Sequence, residues 1–209
     1  MRLPSILSDL RQSLAPVDPR SGFSADESSA LRRAAVLVLM YPRADDVTFV
    51  LTARPETLSR HPGQISLPGG VAEPEDVSLW DTAVRETREE LGVRPGRIVP
   101  LGRLDDVALR VSEHVIAPFV GWNPVAPSFR PDHREVAAVL QVPLRLLLDP
   151  ASIDEELWHF RDREWRVAFY RFGDHVVWGA TALILHDLHA RLQRGANNFS
   201  VRPGSVRPA

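Results

Sequence analysis

The sequence predicts an α/β protein, one α/β/α sandwich around a mixed sheet. Two observations carry that expectation. Apolar runs of strand length interleave with stretches of helical period along the 209 residues. A long amphipathic segment at 79–91 also follows a short strand through a Pro-Gly-Gly turn. The hydrophobic fraction of 44% and charged fraction of 25% suit an ordinary globular chain with a substantial core.

Residues 3–14 place Leu3, Ile6, Leu7, Leu10 and Leu14 at helical spacing, which predicts a short amphipathic helix. Residues 15–29, rich in Pro, Ser and Asp, read as a loop. The continuous apolar run at 34–41 reads as a buried strand. Residues 42–46 turn the chain into a second strand at 47–53, with Arg54 at its end. A loop from His61 to Gln64 leads to a short strand at 65–67. In the helix at 79–91, Leu79, Ala83, Thr87 and Leu91 form an i, i+4 row, with Trp80 and Val84 beside it, facing the sheet.

Strands follow at 98–104 and 113–122. Asp105 and Asp106 between them read as a turn cap, with a place beside the glutamates as the alternative. A strand starting at Glu135 leads to a short helix at 144–148. Strands at 157–161, 166–172 and 176–179 precede a closing helix at 180–192, with Leu183, Ile184, Leu188 and Leu192 inward. His186 and His189 stand at i, i+3 without a third ligand nearby and read as exposed helix histidines. The segment 195–209 has turn formers and no apolar period, and is expected to be a disordered tail.

Several function classes are disfavoured. The formal net charge of −2 implies no broad attraction to nucleic acid. The absence of cysteine excludes disulfides, thiolate catalysis and zinc–thiolate sites. No apolar run has membrane-spanning length, and the N-terminus lacks a signal-peptide pattern, so a cytoplasmic location is the expectation.

The chemistry concentrates in residues 67–93, LPGGVAEPEDVSLWDTAVRETREELGV. Glu86, Glu89 and Glu90 stand at i, i+3 and i+4, so all three project from one side of the helix. Like charges at that spacing cost about 0.2–0.5 kcal/mol per pair. They also lie near the helix C-terminus, where the macrodipole favours cations. Three hard oxygen donors suit a divalent cation such as Mg²⁺ or Mn²⁺, which would remove the repulsion. The competing reading is a solvated, salt-bridged face, since Arg85 reaches Glu89 at i+4 and Arg88 lies alongside. Gly92 reads as a left-handed helix stop. Gly69 and Gly70 allow a tight turn and close approach to a ligand. For Arg54 a phosphate clamp competes with a surface arginine at a strand end.

A loop, a carboxylate helix and a glycine stop in this order resemble the Nudix box. Gly70, Arg85, Glu86, Glu89, Glu90, Gly92 and Val93 match its pattern in order. Gly70 to Arg85 is one residue longer than the general pattern, Asp76 replaces the upstream Glu, and Thr87 fills a hydrophobic position. The extra length and Thr87 are similar to the coenzyme A pyrophosphatase branch. So is the run Leu51-Thr52, Arg54, Gly63 and Leu67-Pro68-Gly69-Gly70, which departs from the branch at Val50, Pro55, Ser59 and Leu67. Arg60 stands one residue after the missing second Arg.

The resemblance implies the Nudix fold over 31–194, with residues 1–30 as a helix and loop packed on it. It implies a divalent-metal pyrophosphohydrolase. Glu86 and Glu90 would be the firmest metal ligands, and the Gly70 carbonyl could complete the shell. Glu89 would be a third ligand, or would hold or deprotonate the water. Arg54 and Arg60 would bind substrate phosphates, with Gly69 and Gln64 on the substrate side. Arg85 would orient the glutamates. A further carboxylate, metal-binding or basic, is expected from outside the box, with Glu135 first and Glu113 second. The branch implies coenzyme A or its thioesters as substrate, cleaved to 3′,5′-ADP and 4′-phosphopantetheine or its acyl derivative. ADP-ribose or another nucleoside diphosphate derivative is the rival. A non-catalytic ligand-sensing domain is the alternative of another class, and lost box carboxylates would mark it; none of the three is lost. Small molecules are the expected partners, and a homodimer stays open.

Overall fold

Two elements decide where everything else goes: a long apolar strand and the carboxylate-bearing helix packed on it. The structure, a computed structural model, describes residues 3–17, 32–57, 62–109, 114–160 and 163–199. The chain opens with α1 (Ser5–Ser13), β1 (Arg32–Arg43), β2 (Asp46–Ala53), β3 (Ile65–Ser66) and β4 (Gly69–Val71). Helix α2 (Leu79–Leu91) leads to β5 (Val99–Arg103), β6 (Val107–Leu109), β7 (His114–Trp122) and β8 (Ala138–Pro143). Then come α3 (Leu144–Leu148), β9 (Ile153–Phe160), β10 (Arg163–Phe172), β11 (His175–Val177) and α4 (Gly179–Phe199).

Strand β1 lies at the centre of a mixed sheet ordered β3-β2-β1-β7-β5. It runs parallel to β7 and antiparallel to β2 and β4. Strand β6 pairs with β7 and β8 with β2, while β9, β10 and β11 form a second, antiparallel sheet. The unbroken apolar run follows from burial on both faces. Ala35, Leu37, Leu39 and Tyr41 join Leu79, Ala83 and Leu91 of α2 in one core. Val38 and Met40 join Leu7 and Leu10 of α1 and Leu185 and Leu188 of α4 in the other. This is the expected sandwich. Each fully buried leucine side chain contributes about 1.5–3 kcal/mol by leaving water, so α1 is part of the domain's core.

Helix α2 starts where Ser78 Oγ accepts the Asp81 N–H at 3.2 Å. It stops at Gly92, whose φ of 68° lets its N–H reach the Arg88 carbonyl at 2.8 Å. The apolar row at 79, 83, 87 and 91 is buried as expected, and Trp80 packs edge-on against Phe119.

Five expectations change. Residues 69–71 form β4, because Gly69 and Gly70 pair with Val36 and Ala35 of β1 and the turn is thereby zipped to the sheet. Strand β6 went unread, being a three-residue pairing partner of β7. Strand β9 begins at Ile153, ahead of the polar Asp154-Glu155-Glu156 run that hides its period. In α4 the inward row is Thr181, Ile184, Leu185, Leu188, His189 and Leu192; Leu183 falls off that row and is 58% exposed, while His189 is buried. The helix also continues to Phe199, past the expected stop at 192 and into the segment expected to be disordered; residues 200–209 lie outside the described residues.

Candidate active site

Four parts of the chain converge beside the first half of β1: the glycine strand β4, the second half of α2, the end of β2 and the loop before β8. The approach of β4 is possible only because its first two residues lack side chains. Gly69 has φ 154°, and a Cβ there would stand 2.3 Å from the Ala35 carbonyl oxygen. A Cβ on Gly70 would stand 2.4 Å from Glu86 Oε1. The Glu86 carboxylate therefore occupies the space that glycine leaves.

Arg85 holds this corner together. Its Nε and Nη2 donate to Asp76 at 2.9 and 3.0 Å, its Nη1 to Glu86 at 2.9 Å and Glu89 at 3.2 Å, and its Nη2 also to the Val71 carbonyl at 3.1 Å. Asp76 in turn accepts from Thr82 Oγ1 at 2.8 Å and from the Glu73 N–H at 3.0 Å. Burial alone would push the Asp76 carboxyl up, but the Arg85 guanidinium and the two other donors outweigh it and hold the group below its ordinary value. The Arg85 guanidinium is pushed further up, chiefly by Asp76. Asp76 is the residue that sequence reasoning missed. The signal was its position, where the box pattern has Glu, nine residues before Arg85.

The three glutamates do not share one environment. Glu90 is buried, and burial together with the neighbouring Glu86 charge pushes its carboxyl up to about 8. Glu135 pushes the same way, while the Gly69 N–H and Arg54 pull down. Glu86 is raised as well, by burial first, with Arg85 opposing and Glu89 and Glu135 adding to it. Glu89 sits at the rim, 47% exposed, held by Arg85 and by Arg88 Nη2 at 3.5 Å.

Of the residues expected at the site, Gly69, Gly70, Arg85, Glu86 and Glu90 come together, and Arg54 and Glu135 are close enough to act on the Glu90 charge. Gln64 gives its backbone carbonyl to the Arg54 N–H at 3.0 Å, and its side-chain amide lies toward Gly179. Glu135 stands in a turn ahead of β8, which starts only at Ala138. Asp105 and Asp106 are not part of the site: Asp105 pairs with Arg191 at 2.8 Å and Asp106 with Arg103. Ser59, Arg60, His61 and Glu113 lie outside the described residues.

Four buried side-chain atoms have no hydrogen-bond partner among the described residues, and two of them, Glu90 Oε2 and Arg54 Nε, belong to this site. A buried carboxylate oxygen without a donor suits a cation, and a buried guanidinium N–H without an acceptor suits an anion. Among the described residues no three carboxylates or imidazoles converge into a preformed cage. The reason is visible in Arg85, which draws Glu89 to the rim and takes one oxygen of Glu86. The donor set is hard oxygen throughout, as Mg²⁺ and Mn²⁺ require.

The NUDIX domain model matches residues 31–166. An uncharacterised Nudix hydrolase, NudL, of Photorhabdus laumondii is 36% identical over 164 residues, covering 78% of this chain and 86% of that one. The chloroplastic Nudix hydrolase 22 of Arabidopsis thaliana is 35% identical over 163 residues, covering 74% of this chain and 53% of that longer protein. A MutT/nudix family protein of Enterococcus faecalis superposes with a TM-score of 0.55 over 93% of this chain and 70% of that one; at 16% identity the likeness shows the fold alone. The chain belongs to the Nudix family. It is a pyrophosphohydrolase of that family, whose members act on small-molecule diphosphates and generally use a divalent metal ion.

Proposed function

We propose that this enzyme hydrolyses the diphosphate bridge of coenzyme A or its thioesters, giving 3′,5′-ADP and 4′-phosphopantetheine or its acyl derivative. The observation that carries the reading is the pair of unsatisfied buried groups, Arg54 Nε and Glu90 Oε2, close enough for their charges to interact. One asks for phosphate oxygens and the other for a dication, which is what a metal-bound diphosphate offers. Arg54 also belongs to the run from Leu51 to Gly70 that resembles the coenzyme A branch.

Glu86 and Glu90 are the residues that would hold Mg²⁺ or Mn²⁺, and the Gly70 carbonyl and Glu89 would complete the shell. When bound, such an ion neutralises the diphosphate, orients it and lowers the pKa of the attacking water. Arg54, with Arg60, binds the phosphates and fixes their register. Arg85 is a positioning residue: it sets the direction of the Glu86 and Glu89 carboxylates and is itself anchored by Asp76. Glu135 and Glu89 are the carboxylates available to take a proton from water at the site. No described helix is long and apolar enough to cross a membrane, and a cytoplasmic setting goes with this reading.

A panel of coenzyme A, acetyl-coenzyme A, ADP-ribose, NADH and deoxynucleoside triphosphates, each with Mg²⁺ or Mn²⁺, tests the proposal. Coenzyme A or a thioester should have the highest kcat/KM, and its products should be the two named above. Preference for ADP-ribose removes the coenzyme A assignment and leaves the hydrolase. Affinity without turnover on any compound favours a sensing domain.

A further inference from the structure

A second concavity, of about 380 Å³, opens at the C-terminal end of α2. It shares no residue with the cleft of Arg54, Gly70, Glu86, Glu90 and Glu135. Arg94, Arg97 and Arg130 line it together with Asn123 and Ser128, and no acidic side chain does. Among the described residues none of these three guanidinium groups makes an ion pair or a side-chain hydrogen bond. Arg85, Arg103, Arg134, Arg145 and Arg191 each sit on an Asp or Glu.

Three cations around one hollow repel each other, and a bound anion would turn that repulsion into attraction. Guanidinium groups prefer phosphate, whose oxygens their planar forks match in pairs. The end of a helix would ordinarily oppose an anion through its free carbonyls. Here three of the last four carbonyls are occupied. Arg88 O accepts from Gly92 N–H, Glu90 O from Asp132 N–H and Leu91 O from Arg130 N–H, at 2.8, 2.9 and 2.8 Å. The Arg130 backbone is also packed against Gly92, where a Cβ would stand 2.9 Å from the Arg130 Cβ, so the loop is seated on the helix end. The volume lies in the range of small-ligand sites.

We propose that this arginine cleft binds a phosphate-bearing small molecule at a site separate from that of hydrolysis. The proposal does not depend on which diphosphate the enzyme cleaves.

The test is isothermal titration of the metal-free protein, in EDTA, with orthophosphate, pyrophosphate and AMP. Without a dication the carboxylates disfavour an anion beside Arg54, and the Arg54→Ala variant distinguishes that site from the three arginines. One anion should bind per chain, to wild type and to Glu90→Gln alike, and at least tenfold more weakly to the Arg97→Ala/Arg130→Ala variant. Tighter binding of AMP than of orthophosphate would identify an organic phosphate ester, and the reverse order inorganic phosphate. Arg94→Gln alone provides the same reading if the double variant folds poorly. Absence of saturable binding, or equal binding by the arginine variants, would overturn the proposal. Loss of binding in Arg54→Ala with retention in the arginine variants would do the same, by moving the anion to the other cleft.

Discussion

Replacing Asp76 by Asn probes the support of the carboxylate site without touching the carboxylates. The Asp76 side chain is 5% exposed and accepts four hydrogen bonds, two of them from Arg85. An amide keeps the shape but loses the charge, and its NH₂ must face a donor. Charge-assisted hydrogen bonds contribute about 1.5–3 kcal/mol each, and breaking a buried pair costs about 3–5 kcal/mol. Arg85 keeps Glu86, Glu89 and the Val71 carbonyl, so the loss should sit lower, at about 2–3 kcal/mol, or roughly 5–10 °C in Tm for a chain of this size. The pH dependence has a definite sign. Asp76 is depressed in the folded state, so its contribution is present above the ordinary carboxyl range and is lost as pH falls through the folded value. The gap between wild type and variant in urea denaturation should be full near neutrality and shrink in acid. With its anchor gone, Arg85 turns more fully onto Glu86 and Glu89, and Mn²⁺ affinity should fall about tenfold or more. A variant with wild-type denaturation midpoint and wild-type Mn²⁺ affinity would refute the positioning role of this pair.

Three further outcomes follow from the same geometry. Gly70→Ala should fold, since β4 has ordinary backbone angles there, but its methyl displaces the Glu86 carboxylate; kcat should drop about 10²-fold while the circular dichroism spectrum is retained. Glu90→Gln should lose most turnover and also change the pH profile of the metal-free protein. The native state keeps a proton on Glu90 up to about pH 8 that the unfolded chain releases earlier, so metal-free wild type should lose stability as pH rises through that window. The variant should not, as denaturation in EDTA would reveal. Leu10→Ala, at a fully buried position of α1, should cost about 2–5 kcal/mol, and a cost below about 1 kcal/mol by urea titration would detach α1 from the core.

The box was legible because its signals are local. Glycines that forbid a side chain, acids at helical spacing and a left-handed stop are each written in adjacent residues. The apolar strand at the centre and the apolar row of α2 were legible for the same reason, since burial imposes a period. What could not be read depends on partners distant in the chain. Asp76 looked like a conservative change in a motif until Arg85 lay across it. Strand β6 has three residues and exists only against β7. His189 read as a surface histidine because no third ligand accompanies it and His186, whereas the helix turns it inward on the row of Leu185, Leu188 and Leu192. Asp105 and Asp106 were plausible ligands by composition alone, and their arginines, Arg191 and Arg103, hold them elsewhere.

The most direct measurement is anomalous diffraction from a crystal soaked in Mn²⁺. The account predicts a peak bounded by the Glu86 and Glu90 carboxylates and the Gly70 carbonyl, with Glu90 Oε2 turned to it. A crystal with manganese bound only elsewhere, and Glu86 still held by Arg85, would contradict it.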